Sequence, residues 1–445
     1  MKVKTYKALF ISLLVLFITG SFERAEAQLY PVKFIKDTLQ NGLTVIYHQD
    51  NSTPIVSTVL QYRVGSKDEI STQTGYAHFF EHLMFEATEN IPRASIDKYV
   101  QEAGGNLNAF TSFDKTVFHF QLPSNQIKLA LWIESERMRG LKVQSEGVET
   151  QRGVVLEEIK QTTTNQPYGT LLQKTMENLF TGTSYGWDVL GFEKNIASAT
   201  IGNFQNFYNN FYQPNNAILV IAGDFDLNGT KKMVNEYFAN IPRGLSPKRN
   251  NIIFSPMQKS YRETINDAKV KLPGIFISFR GPAIGDTDYY ATSLLTDILA
   301  GGESSRLYQR LVDKEEMAVE TAVEPIIMQD AGIILLYAIA SPGKSIDKIE
   351  KLIYEEIDKI IKTGISDEEL KKVKNITETN FVNDKNNSLS IAQSLAEYQG
   401  YFNNPNLINT EIDKYLKVTK EDIQKAAQLF LGTNKNVTLI YMPKD

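Results

Sequence analysis

Two histidines and a glutamate lie close together in the segment Gly75–Phe85, which reads GYAHFFEHLMF. Positions i, i+3 and i+4 of a helix lie on one face, so a helix here would point His78, Glu81 and His82 in the same direction. Two imidazoles at this spacing can bind one metal ion, and a carboxylate beside them can reach a water molecule on that ion. The spacing therefore predicts a metal centre that activates water.

The structural alternative is a pair of core histidines and a salt-bridged glutamate that bind no metal. The chain contains only 4 histidines, so two of them around one glutamate are improbable by chance. The order H-x-x-E-H is also a zinc-peptidase signature, the reverse of the more common H-E-x-x-H. We therefore expect His78 and His82 to bind one zinc ion, and Glu81 to act as the general base and not as a ligand.

A catalytic zinc ion usually takes three protein ligands, so a third ligand must lie elsewhere in the sequence. The chain has no cysteine, which excludes thiolate ligands and disulfide bonds. The best candidate segment is Gln151–Lys160, where apolar residues would pack a helix against the core. On that helix two adjacent carboxylates, Glu157 and Glu158, would point in different directions. The residues alone do not choose between these two carboxylates.

The chain after its first residues resembles the pitrilysin, insulysin and mitochondrial processing peptidase family, in its short two-domain form. In that family a metal-binding glutamate ends a stretch E-R-x-x-x-x-x-E-hydrophobic downstream of the second histidine. The matching stretch here runs from Gln151-Arg152 to Glu158-Ile159. The resemblance therefore implies Glu158 as the third zinc ligand. Gln151 stands where the family often has an acidic residue behind the ligands, and an amide can still hydrogen-bond there.

The segment Gly104–Thr116 (GGNLNAFTSFDKT) resembles a second signature of this family, in which the edge of a strand binds an extended peptide. Main-chain hydrogen bonds to such an edge accept many sequences. The resemblance implies Asn108 and Ala109 as substrate-binding residues. The alternative is an ordinary hairpin with asparagine and glycine in its turn.

The segment Gly301–Leu311 (GGESSRLYQRL) resembles a glycine-rich turn of the family, whose arginine helps to hold the substrate. Arg306 is the matching residue. The tyrosine that usually accompanies this arginine is missing, because Val319 stands in its place. Either Tyr308 or another tyrosine substitutes, or a partner chain completes the site, as in family members that pair a zinc subunit with an arginine and tyrosine subunit.

A weak internal repeat relates Phe204–Asp226 to Ile423–Asp445, each an amphipathic helix, a polar turn and a β-rich strand. The repeat predicts two homologous domains, although any two helix-turn-strand units look alike. Pro242–Pro256, rich in proline, asparagine and basic residues, is typical of a linker. The predicted divisions are a signal peptide at 1–27, a zinc-binding domain at 28–241, the linker at 242–256 and a second domain at 257–445.

Hydrophobic periodicity and turn residues predict the helices and strands that position the candidate residues. Strands are predicted at 42–48 and 55–64, with one or two more over 106–122, and helices at 95–104, 124–140, 144–164, 346–364 and 419–430. The predicted fold is α+β, with a mostly antiparallel or mixed sheet in each half and helices packed on one face. The family resemblance implies that the halves form a clamshell.

The first residues predict export. Lys2, Lys4 and Lys7 precede the apolar run Ala8–Gly20, and Ala25-Glu26-Ala27 follows as a cleavage site. The alternative is a retained anchor, but the run is shorter than the ~20 residues that a spanning helix needs. We expect cleavage after Ala27, no stable membrane insertion, and a periplasmic or secreted protein. The net charge of −5 disfavours nucleic-acid binding.

The sequence thus predicts an exported zinc endopeptidase that acts on unfolded peptides or small proteins, with one zinc ion per chain. One alternative is the zinc-bearing subunit of a homodimer or an obligate heterodimer that is inactive alone. A second is a scaffold homologue without activity, and a third is an exported peptide-binding protein. The complete set of zinc-site residues favours the enzyme.

Overall fold

The structure is a computed structural model that describes residues 31–432 and 435–444. The predicted signal peptide, residues 1–27, lies outside the described residues. From Lys33 onward the chain forms one compact unit. Within the described ranges, no helix is both long enough and apolar enough to cross a membrane.

The strands are short and belong to two sheets. They are β1 Ile35–Thr38, β2 Thr44–Gln49, β3 Ile55–Tyr62, β4 Asn106–Thr111, β5 Thr116–Pro123, β6 Ala217–Gly223, β7 Tyr261–Asp267, β8 Gly274–Gly281, β9 Ala318–Ile327, β10 Gly332–Ala340 and β11 Val437–Pro443. β1 to β6 form one sheet and β7 to β11 form the other.

Helices are distributed among these strands in both halves. They are α1 Tyr76–Leu83, α2 Ile96–Glu102, α3 Ile127–Gly140, α4 Ser145–Ile159, α5 Leu171–Leu179, α6 Glu193–Ser198, α7 Ile201–Phe211, α8 Leu227–Phe238, α9 Tyr289–Ala300, α10 Arg306–Tyr308, α11 Ile346–Thr363, α12 Asp367–Asn383, α13 Ser388–Phe402, α14 Leu407–Thr410, α15 Ile412–Lys417 and α16 Lys420–Ala426. A π-helical turn, Lys160–Thr164, continues α4 and extends it to the predicted end of that helix.

The two sheets have the same topology. The first has the order β1-β2-β6-β3-β5-β4 and the second the order β7-β11-β8-β10-β9. Without the additional edge strand β1, both sheets place their strands in the order first, fifth, second, fourth, third. In each sheet the fifth strand is parallel to the first, and the other neighbours are antiparallel. The predicted α+β fold with two homologous halves is therefore confirmed, and the repeated segments end in the equivalent strands β6 and β11.

Each sheet packs one face against helices of its own half. In the first half, Leu60 and Phe120 of the sheet share a buried cluster with Phe79 of α1 and Phe204 of α7. In the second half, β8, β10, α9 and α11 form an equivalent cluster. The apolar stripes of these helices and the alternating strand residues give the two cores that the hydrophobic periodicity requires.

The second face of each sheet is covered by a helix from the other half, which the sequence did not indicate. α13 lies on β3 and β6, and α5 lies on β8 and β11. The Ser57 and Ser388 hydroxyls are 2.8 Å apart at the first contact, and Met176 of α5 shares a buried cluster with Leu439 of β11 at the second. This exchange of helices explains why β6 is apolar and buried along its whole length.

The predicted linker, residues 242–256, has no regular secondary structure but is attached to the first half. Arg249 donates hydrogen bonds to Asp68 Oδ1 at 2.5 Å and to the Arg63 carbonyl oxygen at 2.5 Å. Asn250 donates to the Glu69 carbonyl oxygen at 3.1 Å. The linker therefore runs along the surface of the first half and is held there by hydrogen bonds.

Candidate metal centre

Helix α1 begins at a sharp turn that only glycine fits. Gly75 has φ of 81°, and a Cβ on it would lie 2.3 Å from the Leu190 carbonyl oxygen. The Glu69 carboxylate then accepts hydrogen bonds from the main-chain N–H groups of Gly75 at 2.8 Å and Ala77 at 2.7 Å. Trp187 Nε1 donates to the same carboxylate at 3.0 Å. These contacts fix the first turn of the helix that carries His78, although burial raises the pKa of Glu69 well above its usual range.

The structure brings His78, His82 and Glu158 together. The two histidine Nε2 atoms are 3.3 Å apart. Glu158, from α4, lies with Oε2 at 3.4 Å from His82 Nε2 and with Oε1 at 3.7 Å from His78 Nε2. Glu157 is exposed and receives a hydrogen bond from Gln161. Of the two carboxylates that the residues left open, Glu158 is therefore the one beside the histidines.

The distances in this cluster fit zinc. Two nitrogens bound tetrahedrally at the usual zinc distance are about 3.3 Å apart, and the two Nε2 atoms have that separation. One ligand atom from each of the three residues lies within 4.8 Å of the others. Two imidazoles and one carboxylate are also a donor set that catalytic zinc sites use.

The electrostatics of the cluster favour a bound cation. Burial, followed by the charge of His82, lowers the pKa of His78 to about 4, so His78 is neutral near pH 7 and has a lone pair to share. The hydrogen bond from His82 is the largest influence on Glu158 and lowers its pKa. For His82, burial lowers the pKa but the contacts with Glu158 outweigh it, and the net pKa is raised. An anion beside two imidazoles is suited to a divalent cation.

Glu81 lies on the same helix but outside the three-residue ligand set. Burial raises its pKa, and the hydroxyl of Thr111 donates a hydrogen bond of 2.6 Å to its Oε2. Thr111 belongs to β4 and was not among the predicted site residues. The period of two in β4 could have identified it, because Leu107, Ala109 and Thr111 share the half-buried face of that strand.

Gln151 also lies at the site, as the resemblance implied. It hydrogen-bonds to His82 and donates from Nε2 to Glu86 Oε1 at 2.8 Å. Gln151 and Glu158 are seven residues apart on α4, so two helical turns bring them to the same face. Glu86, which the sequence did not single out, is buried just after α1.

The strand predicted to bind substrate is an edge strand. Among the described strands β4 pairs only with β5, so its other edge is unpaired. Asn108 is exposed, and its Oδ1 accepts a hydrogen bond of 2.8 Å from the Ala109 N–H. The contact of Thr111 with Glu81 brings the end of this strand to the metal centre. A role for Asn108 and Ala109 in binding substrate stays a prediction.

Arg306 does not join the metal cluster. Its Nε and Nη2 atoms donate to the Glu369 carboxylate at 2.6 and 2.9 Å, and Nη2 donates to the Gly364 carbonyl oxygen at 3.3 Å. These partners lie in its own half of the chain. Val319, in the position of the usual tyrosine, is 51% exposed on the edge strand β9. A role for Arg306 in binding substrate also stays a prediction.

The fold and the site together define a class of protein. Two homologous α+β halves, with a His-His-Glu cluster and a separate glutamate on the H-x-x-E-H helix, are the arrangement of a zinc-type peptidase. The model of the family described as "Insulinase (Peptidase family M16)" matches residues 44–191, and that of "Peptidase M16 inactive domain" matches residues 198–377. The chain belongs to the insulinase family, peptidase family M16.

The chain is similar to known proteins over almost its whole length. It is 27% identical to the zinc protease PqqE of Helicobacter pylori, over 94% of both chains. The crystal structure of a protease from Helicobacter pylori superposes with a TM-score of 0.87 at 26% identity, covering 93% of this chain and all of that one. Pitrilysin superposes with a TM-score of 0.77 at 16% identity, covering 93% of this chain but 45% of pitrilysin, a likeness of fold alone.

Proposed function

We propose that this protein is an exported zinc-dependent endopeptidase that cleaves unfolded peptides or small proteins. The observation that carries the proposal is the convergence of His78, His82 and Glu158 beside Glu81, which lies on the same helix face but outside the ligand set. The zinc-protease names of similar chains support it. Either a scaffold or a peptide-binding protein without activity would need no such centre.

The residues of the site divide the reaction between them. When bound, zinc supplies a Lewis acid that polarises the scissile carbonyl and makes water more acidic. Glu81 takes the proton of the attacking water and passes it to the leaving amine, and its raised pKa suits both transfers. Thr111 holds the Glu81 carboxylate through the 2.6 Å hydrogen bond. The free edge of β4 binds the peptide main chain, which favours unfolded substrates.

The proposal includes export, through the basic and apolar residues that begin the chain. Cleavage after Ala27 would make Gln28 the first residue of the exported protein. Mass spectrometry of protein secreted from a host cell would detect this terminus. A full-length chain that remains in the membrane fraction would contradict the export step.

A second candidate is the zinc-bearing subunit of a dimer, with either a copy of itself or a homologous subunit. Two observations favour it, namely the pairing of Arg306 with Glu369 inside its own half and the exposed Val319 where the family has a tyrosine. In that case the partner supplies the arginine and tyrosine that hold the substrate.

The deciding experiment uses purified chain 28–445 with an unstructured fluorogenic peptide library and a zinc assay. We expect about one zinc ion per chain, and metal-dependent cleavage that Glu81→Gln abolishes while zinc is retained. Glu157→Gln is the matched control, because Glu157 is exposed and outside the site. Zinc without cleavage would favour the second candidate, and a chain that binds no zinc would refute the mechanism.

A further inference from the structure

A chain of hydrogen bonds leads from the candidate ligand His82 into the protein. His82 bonds to Gln151, and Gln151 Nε2 donates to Glu86 Oε1 at 2.8 Å. The buried Glu86 carboxylate also receives hydrogen bonds from the guanidinium of Arg93. α4 approaches this carboxylate closely, since a Cβ on Gly147 would lie 3.2 Å from Glu86 Oε2.

The direction of these hydrogen bonds is determined by Glu86. A glutamine amide can present either its oxygen or its NH₂ group to a neighbour. A carboxylate paired with arginine can only accept, so Gln151 must direct its NH₂ group to Glu86 and its oxygen to His82. The His82 nitrogen that faces Gln151 is therefore the one that carries hydrogen. Because Nε2 of His82 lies 3.4 Å from Glu158, we assign the bond to Gln151, and with it the hydrogen, to Nδ1.

We propose that Glu86 is a positioning residue of the metal centre: it orients the Gln151 amide, and the amide holds His82 in the tautomer whose Nε2 can bind zinc. The inference rests on the proposed function and assigns to Glu86 a role that Gln151 cannot fill alone. His78 has no such support, because its Nδ1 is buried without a hydrogen-bond partner among the described residues. His82 is thus the ligand whose tautomer the protein sets.

The physical consequence concerns zinc affinity. In Glu86→Gln the residue at 86 can donate as well as accept, so the Gln151 amide loses its preferred direction. The opposite direction places hydrogen on His82 Nε2, which lies 3.3 Å from His78 Nε2 and would block the metal. Losing a partner behind a metal ligand typically weakens binding 10- to 100-fold. We expect the zinc dissociation constant of Glu86→Gln to rise at least tenfold, measured by competition with a chelator.

The matched control is Glu146→Gln. Glu146 accepts from Arg93 Nη1 at 2.8 Å, so this change removes a carboxylate from the same arginine. Glu146 is exposed, and the side-chain ion pair that it makes within the described residues is with Arg93. The zinc affinity of Glu146→Gln should equal that of the wild type. Melting temperatures of both variants show whether either has lost its fold.

The rescue variant separates orientation from packing. A carboxylate at 151 accepts from His82 in either orientation, so Glu86→Gln combined with Gln151→Glu should recover zinc affinity to within about threefold of the wild type. An equal loss in the double variant would mean that Glu86 acts through packing or through Arg93, and would overturn the inference.

A second readout needs no zinc. The chain has only 4 histidines, so ¹⁵N-histidine spectra of the apoprotein are tractable. At alkaline pH, where the rings are neutral, His82 of the wild type should be the Nδ1–H tautomer and His82 of Glu86→Gln a mixture. Unchanged His82 resonances would overturn the inference. A wild type that binds no zinc refutes the proposed function instead, while zinc binding that Glu86→Gln leaves intact refutes only the role of Glu86.

Discussion

The hydroxyl of Thr111 offers a sharp test of how Glu81 is held. Thr111→Val keeps the shape of the side chain and removes the donor of the 2.6 Å hydrogen bond to Glu81 Oε2. A hydrogen bond to a charged group contributes about 1.5–3 kcal/mol. If the loss of this free energy raises the barrier of the step in which Glu81 takes a proton by the same amount, the rate falls about 10- to 150-fold.

We expect the lower end of that range, a decrease in kcat/KM of about tenfold. Glu81 is only partly buried, so water can replace the lost donor without restoring its orientation. Zinc content should not change, because neither Thr111 nor Glu81 belongs to the ligand set. The assay compares peptide hydrolysis by the wild type, Thr111→Val, Thr111→Ser and Glu81→Gln, which sets the background.

Two results would refute this reasoning. Full activity in Thr111→Val would mean that the hydroxyl does not position Glu81. Equal loss in Thr111→Ser, which keeps the hydroxyl and loses the methyl group, would mean that packing on β4 matters and the hydrogen bond does not.

Three further predictions concern metal binding, pH and the exchanged helices. Glu158→Ala should lose stoichiometric zinc in a metal assay, while Glu157→Ala retains it, because only Glu158 lies beside the histidines. Burial raises the pKa of Asp188 to about 6 from 3.8, so its contribution to stability is present below the unfolded pKa and lost as pH rises through 6. The free energy of unfolding of Asp188→Asn, measured with urea, should therefore rise relative to that of the wild type between pH 4 and 7, by at most about 3 kcal/mol. A difference between the two proteins that does not change with pH would contradict this. Leu395→Ala on α13, at a fully buried position, should lower the free energy of unfolding by about 2–5 kcal/mol, and the protein should still unfold in one cooperative transition. The exposed Leu416→Ala is the control. Separate unfolding transitions for the two halves would mean that the exchanged helices do not couple them.

The sequence predicted much of the local structure correctly. The helix that carries the motif, the strands at 55–62 and 106–123 and the helix at 346–363 all occur within a few residues of their predicted bounds. Turn residues and hydrophobic periods are local properties, so a single sequence is enough to find them. The strand order was not predictable, because it depends on pairings between residues that are distant in the chain.

The site divides in the same way. Spacing along one helix was sufficient to place His78, Glu81 and His82 on a common face, and the resemblance added Glu158 to them. Only the packing of α4 against α1 shows which of two adjacent carboxylates reaches the histidines.

The sequence by itself determined the secondary structure, the duplication and the residues of the H-x-x-E-H helix. The tertiary structure decided that Thr111 contacts Glu81, that Glu86 stands behind Gln151 and that each half covers the other's sheet with one helix. The reason is that the periodicity of the sequence determines which side chains share one face of a helix or strand. Which other element packs against that face depends on the burial of apolar surface between elements that are distant in the sequence.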